Sequence, residues 1–279
     1  MRDVASERDE RGIPIRRVGV RDIHLPVMIR EKEGGYARVT GVFEASVELP
    51  DHERGTHMSR FVEILSRWSK RAVALPEMRE MLAEIRSRFG AWAAHLRLDF
   101  TYFLSKRSPA TNLPCQLDYD CWFEARDVND NFDFQTCVEV PVITLCPCSR
   151  EISQFGAHSQ RAVVRVKLRA RDEQIVWLED LIPLLESQGS EQIYPMLKRE
   201  DEKLVTERSY QNPKFVEDVV RDGVLALRRL PDAEWFSVEC ESFESIHNHS
   251  AYACTEWPAE WPSDVEAAPE TVRPREQRS

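Results

Sequence analysis

Two segments near the middle of the chain fix its fold class. In HLRLDFTYFL (95–104) Leu96, Leu98, Phe100 and Tyr102 recur at every second position, and in CQLDYDCWFEAR (115–126) Leu117, Tyr119, Cys121 and Phe123 do the same. A period of two places each set on one face of a β-strand. Ahead of them the period lengthens. MSRFVEILSRWS (58–69) carries Phe61, Ile64, Leu65 and Trp68 at helical spacing, and a second stripe of Met78, Met81, Leu82, Ile85 and Phe89 starts after Pro76 and stops at Gly90. Proline suits a first helical turn and glycine a helix end. YARVTGVFEASVEL (36–49) precedes both helices and alternates as a strand does. Residues 13–130 therefore read as strands, two helices, and two further strands.

Residues 131–257 repeat that order. TCVEVPVITL (136–145) and AVVRVKLRAR (162–171) have strand character. EQIVWLEDLIPLLESQG (173–189) reads as a helix closing on Gly189. A second helix is expected over 212–230, with Asn212 as its cap, Pro213 in its first turn, and a stripe of Phe215, Val216, Val219, Val220, Val224 and Leu227. EWFSVECESFES (234–245) returns to strand. Strands in hairpin-like pairs, set apart from paired helices, predict an α+β fold of two antiparallel units with the helices on one face of each. A four-stranded sheet of this kind leaves two edges and one face uncovered, so assembly with other copies is expected.

Residues 1–12 read as a flexible arm, and 258–279, rich in Pro, Glu and Ala without an apolar period, as a disordered tail. The charged start has no apolar core of a signal peptide, and no apolar run reaches the length of a membrane span. Seven cysteines without a secretory signal imply reduced thiols in the cytoplasm. Cys115, Cys121, Cys137 and Cys240 lie in apolar or alternating surroundings and read as small packing residues. A net charge of −10 argues against non-specific nucleic-acid binding, so an anionic substrate needs a local basic pocket.

Four places gather residues able to do chemistry. TLCPCSREISQFGAHSQR (144–161) holds Cys146, Cys148 and His158. The pair is too tight for a structural zinc site, has no second pair, and would form a strained disulfide. Pro147 and the polar residues after it fit a turn better than a core. ESFESIHNHSAYA (241–253) brings together Glu244, His247 and His249. The i, i+3 spacing of Glu244 and His247 lets both reach one metal, whereas His249 points away from His247 if the segment is extended. GTHMSRF (55–61) places His57 at a helix start. In 197–218 a dense mix of acid and base reads as a solvated face, and spacing alone singles out neither Glu202 nor Glu217. His24, His52 and His95 read as ordinary polar residues.

Four segments together resemble one family, the type IB GTP cyclohydrolases: LPDHERGTHMSRF (49–61), PVITLCPCSREISQFGAHSQR (141–161), YPMLKREDEKLVTERSYQNPKFVEDVVR (194–221) and SFESIHNHSAYA (242–253). The resemblance covers roughly 13–257. It implies a tandem tunnelling fold, a homotetramer with active sites between subunits, and conversion of GTP and water to 7,8-dihydroneopterin triphosphate and formate, the first step of tetrahydrofolate synthesis. It also implies a divalent metal, Mn²⁺ or Fe²⁺ with Zn²⁺ as a further option, that activates water for attack on guanine C8. By match of position, Cys146, Glu202, Glu244 and His247 are the metal ligands, Cys146 and His158 are catalytic, His158 and Cys148 sit beside the metal within reach of its shell, and His249 lies near them. Glu217 matches the acid that reads the guanine edge. His57, Arg60, Lys203 and Arg161 are the candidates for binding the rest of the substrate. The competing expectations are a related enzyme acting on another purine or pterin, such as a nitrile reductase with a cysteine nucleophile, and a non-catalytic zinc-stabilised assembly protein.

Overall fold

The computed structural model describes residues 7–258. In chain order the elements are β1 (Ile15–Arg30), β2 (Tyr36–Leu49), α1 (Met58–Trp68), β3 (Ala72–Val73), α2 (Leu75–Phe89), β4 (Ala93–Arg107), β5 (Pro114–Val128), β6 (Asn131–Leu145), α3 (Pro147–Ile152), β7 (Ser159–Ala170), α4 (Leu178–Glu186), β8 (Glu191–Gln192), α5 (Arg199–Gln211), α6 (Val216–Leu227), β9 (Ala233–Ser242) and β10 (Ala251–Trp257). The strands form one sheet in the order β10-β9-β7-β6-β5-β4-β2-β1-β3, with β8 beside β6. Every pairing is antiparallel except β1 with β3. Two four-stranded units thus merge into a single sheet. The seam is the tight turn between β5 and β6, where Asn129 and Asp130 both take positive φ as a two-residue hairpin of this hand requires.

The period-two residues face the core. Leu96, Leu98, Phe100 and Tyr102 of β4 and Leu117, Tyr119, Cys121 and Phe123 of β5 are buried, and Val138, Val140 and Val142 of β6 continue the layer across the seam. The helices cover that face. Phe61 of α1 stacks on Phe89 at the end of α2, with ring centroids 4.2 Å apart, and Gly90 closes α2 in the left-handed conformation. The opposite face carries cross-strand ion pairs, among them Arg97 with Glu124 and Arg165 with Glu139 and Glu239. No helix among the described residues is long and apolar enough to cross a membrane.

Four local expectations change. The helix expected over 173–189 runs only from Leu178 to Glu186, with Ser187 rather than Gly189 at its end. Asp172 and Glu173 sit at positive φ, which interrupts helical geometry, and the chain reaches α4 through a non-helical link. Asn212 does not open α6; it ends α5, donating its backbone N–H to Arg208, and Phe215 is the cap of α6. The charged run around 199–211 is itself a helix. Of the arm expected at 1–12, the described part lies against the chain: Asp9 donates its amide to the His52 carbonyl, and Arg54 ion-pairs with Glu7. Of the tail, only Pro258 is among the described residues.

Candidate active site

Three strand ends build one corner of the sheet. β6 stops at Leu145, which pairs with Ser159 at the start of β7, and Ala162 of β7 pairs with Ser242 at the end of β9. Cys146 follows β6 as the cap of α3, with Pro147 in the first helical position and the Cys146 Sγ accepting from the Ser149 amide at 3.4 Å. The turn expected at Pro147 is thus a short helix. The Cys146 amide donates to the His158 carbonyl at 3.1 Å, and the Ser149 hydroxyl accepts from the His158 amide at 3.2 Å. These bonds close the 146–158 loop and set Cys146 and His158 side by side.

Glu244 enters from β9, held by the Phe243 amide donating to the Arg161 carbonyl at 2.9 Å. Its carboxylate lies 3.8 Å from His158 Nδ1, and both side chains are only 15% exposed. The Ser242 hydroxyl donates to Glu244 at 3.0 Å. The corner has a second wall. The Lys214 amide donates to the Leu145 carbonyl at 3.1 Å, so the α5–α6 link docks beside Cys146, and the Arg150 guanidinium lies 4.8 Å over the Tyr210 ring. Glu217, in the first turn of α6, stands exposed just beyond that link.

Other expected residues stand apart. Cys148 is exposed. Glu202 and Lys203 lie on the exposed side of α5, where Lys203 faces Glu207 at 3.7 Å. His247 and His249 do not point apart as an extended segment would require: they follow β9 in a loop and stack on each other, centroids 5.0 Å apart, in solvent. The Arg161 side chain is exposed. His57 caps α1 and, with Arg60, lines a cleft of about 640 Å³ that also includes Arg8, His52 and Phe89. That cleft is at the other end of the sheet. β2 runs into it at Leu49, level with the start of β4 and hence of β6, whereas Cys146 follows the far end of β6. At ~3.3 Å per residue the length of β6 separates the two by roughly 45 Å.

The donor types in the corner suit a divalent ion, since thiolate, imidazole and carboxylate together hold borderline metals. Yet no three His, Cys, Asp or Glu side chains among the described residues converge closely enough for one ion. Cys146, His158 and Glu244 share the corner, while Glu202 and His247 stand off from it. The remaining buried cysteines are chemically quiet. Burial pushes the thiols of Cys121 and Cys137 well up, and burial with Glu239, Glu217 and Glu241 nearby pushes Cys240 up to about 12. All seven cysteines are unpaired.

Sequence reasoning missed Thr144, Gln160 and Ser242. Each occupies the core-facing phase of its strand, beside Val142, Ala162 and Cys240, and Thr144 and Ser242 are only 1% exposed. Polar residues breaking the alternation at one end of three strands are a signal the sequence does carry.

Comparison with known proteins shows which family the chain belongs to. A family model described as type I GTP cyclohydrolase FolE2 matches residues 1–253. GTP cyclohydrolase FolE2 of Geotalea uraniireducens is 47% identical over 256 residues, covering 92% of this chain and 93% of that protein. The FolE2 proteins of Syntrophotalea carbinolica and Thermosipho africanus are 46% and 44% identical, covering 96% and 91% of this chain and 99% and 97% of their own. Among solved structures, uricase from Arthrobacter globiformis superposes with a TM-score of 0.56 over 91% of this chain and 96% of its own, at 6% identity. Urate oxidase from Bacillus sp. TB-90 gives 0.52 over 87% and 99%, also at 6% identity. At such identities the likeness is one of fold alone, the tandem tunnelling fold.

Proposed function

The chain belongs to the FolE2 family of GTP cyclohydrolases, and from that premise we propose that it converts GTP and water to 7,8-dihydroneopterin triphosphate and formate in tetrahydrofolate biosynthesis. The observation that carries the assignment to particular residues is the corner itself: a largely buried imidazole and carboxylate 3.8 Å apart, with His158 one backbone hydrogen bond from Cys146.

The reaction must add water at guanine C8, break both C8–N bonds and release C8 as formate. Proton traffic is needed at each stage, and His158 fits it: an imidazole can both accept and donate a proton, and this one has the Glu244 carboxylate beside it. Cys146 and Glu244 of the corner, joined by Glu202 and His247 moving in from their exposed positions, would hold the divalent ion, Mn²⁺ or Fe²⁺ with Zn²⁺ as a further option, and such an ion would supply the Lewis acidity that makes hydroxide available at neutral pH. Cys148 and His249 flank that set. Glu217 accepts from guanine N1–H and the 2-amino group, the two donors of one base edge. Arg60, with His57 in the same cleft, and Lys203 and Arg161 are the cations for the triphosphate.

His57 and Arg60 cannot reach Cys146 within one chain. A homotetramer whose sites lie between subunits brings one chain's cleft to another chain's corner. The exposed apolar side chains around the corner, Ile152, Phe155, Phe243 and Ile246, suit burial by a second copy. Seven free thiols suit a reducing cytoplasm.

The test is incubation of the purified protein with GTP and each divalent ion, reading formate and pterin fluorescence. Both signals are expected, and Cys146→Ala is expected to abolish them with loss of metal, while the exposed Cys148→Ala loses less. Absence of formate with every ion would refute the activity. Equal metal loss from both variants would overturn the choice of Cys146.

A further inference from the structure

The side-chain amide of Gln160 sits between the reactive groups of the corner. Its Oε1 lies 2.9 Å from His158 Nδ1 and 3.4 Å from Ser245 Oγ. Its Nε2 lies 3.3 Å from Thr144 Oγ1 and 3.4 Å from Glu244 Oε1. Chemistry fixes which end of the amide faces which neighbour. An ionised carboxylate only accepts, so the end toward Glu244 is the NH₂, and the carbonyl faces His158.

The hydroxyls agree. Ser242 Oγ donates to the same Glu244 oxygen at 3.0 Å, and the hydroxyls of Thr144 and Ser242 are 3.0 Å apart. With its one proton committed to Glu244, Ser242 accepts from Thr144. Thr144 in turn accepts from Gln160 Nε2. Each proton from Gln160 through Thr144 and Ser242 to Glu244 then has one place. Turning the amide over sets a carbonyl against a carboxylate and a donor against the imidazole, and leaves Thr144 without its donor.

From this we infer that Gln160 is a positioning residue: its carbonyl accepts from His158 Nδ1 and so fixes the rotation of the ring and its Nδ1–H tautomer, with Nε2 the ring nitrogen that Gln160 does not engage. No hydrogen bond engages Nε2 among the described residues. The Glu244 carboxylate, 3.8 Å from the same Nδ1, lies beyond hydrogen-bond range, so the Gln160 carbonyl at 2.9 Å is the acceptor that orients the ring. Free imidazole of histidine in water prefers the opposite tautomer, so the protein's effect can be measured.

The inference rests on the role proposed above for His158, and its decisive experiment does not need turnover. Two-bond ¹H–¹⁵N NMR of metal-free protein labelled in histidine reads the tautomer directly. The wild type is expected to show Nδ1–H at His158. Gln160→Leu, close in volume, is expected to revert to Nε2–H, whereas Gln160→Glu keeps an acceptor toward His158 and keeps the wild-type form. An Nε2–H signature in the wild type, or an unchanged signature in Gln160→Leu, overturns the inference. In turnover, Gln160→Leu should lower kcat for formate release about 10- to 100-fold, the usual cost of removing such a partner, with KM for GTP changed by no more than about twofold. A fall confined to KM also overturns it. If the wild type releases no formate at all, the proposed reaction fails, while the tautomer measurement still decides the place of Gln160.

Discussion

Lys106 Nζ lies 2.5 Å from Glu186 Oε1, with the two side chains only 9% and 5% exposed. The pair ties α4, from the second half of the chain, to β4 of the first. The Tyr119 hydroxyl donates to the same Glu186 oxygen at 2.8 Å, and Lys106 also reaches the Ile193 carbonyl at 3.0 Å. Burial, with Glu186 beside it, pushes the Tyr119 phenol far above its ordinary value, so it remains a donor at any working pH. Removing one partner of a buried pair strands the other charge, at about 3–5 kcal/mol, whereas replacing both by apolar groups is often close to neutral. Lys106→Met should therefore lose about 3–5 kcal/mol in urea unfolding, and Lys106→Met with Glu186→Leu should recover most of it. A double variant as unstable as the single would show that the pair contributes more than the relief of a stranded charge.

Asp201 makes the complementary contact at the start of α5. Its carboxylate accepts from the amides of Ala110, Thr111 and Lys198 and from the Thr111 hydroxyl, at 2.6–2.9 Å. Burial pushes its pKa up, but the Thr111 hydroxyl and the amides of Thr111, Lys198 and Ala110 outweigh burial and hold it well below the ordinary value of 3.8. A carboxyl with a lower pKa folded than unfolded stabilises the fold above its unfolded pKa, and that contribution drains away as pH falls toward the folded pKa. Asp201→Asn should melt below the wild type near neutral pH, and the gap should narrow below about pH 4. A gap constant from neutral pH to about pH 3 would reject this account.

That contact also explains what the sequence hid. α5 has few apolar residues, REDEKLVTERSYQ, and its anchor is a hairpin loop at Ala110 and Thr111 that no local pattern reveals. Without knowledge of the anchor the segment reads as a solvated charge run, and Asn212 is taken as a helix start when it is a helix end. β4, β5, α1 and α2 were legible because burial there follows a strict period in each element. Cys146, His158 and Glu244 stood out by residue type and spacing, and the family resemblance gave them roles; their meeting depends on the register of β6, β7 and β9, which a linear chain does not print. Gln160, Thr144 and Ser242 went unnoticed because a polar residue in a core phase looks like noise until its neighbours across the strands are known.

Glu217 separates a functional from a structural role cleanly. It is exposed in the first turn of α6, where a solvated carboxylate would be inert to substitution. If it reads the guanine edge, Glu217→Gln replaces one acceptor with a donor and leaves one guanine N–H facing an N–H. A polar group left unpaired costs about 1–3 kcal/mol, so GTP binding should weaken by about ten- to a hundredfold. Metal content and Tm should not move. Calorimetric titration with GTP is the measurement, and wild-type affinity in the variant would remove Glu217 from the site.

The distance between the His57–Arg60 cleft and the Cys146 corner makes a stronger demand, because the two lie at opposite ends of the same sheet. If both serve one GTP, they come from different copies. Arg60→Ala and Cys146→Ala should each be inactive alone. In a mixed assembly, a site can draw its cleft from a Cys146→Ala chain and its corner from an Arg60→Ala chain, so both groups are native there. Co-expression of the two variants under separate tags, followed by tandem purification, should therefore restore part of the formate release. Neither variant alone, treated in the same way, should do so. Mixed assemblies verified by native mass spectrometry that stay as inactive as their parents would show that the cleft and the corner do not share a substrate.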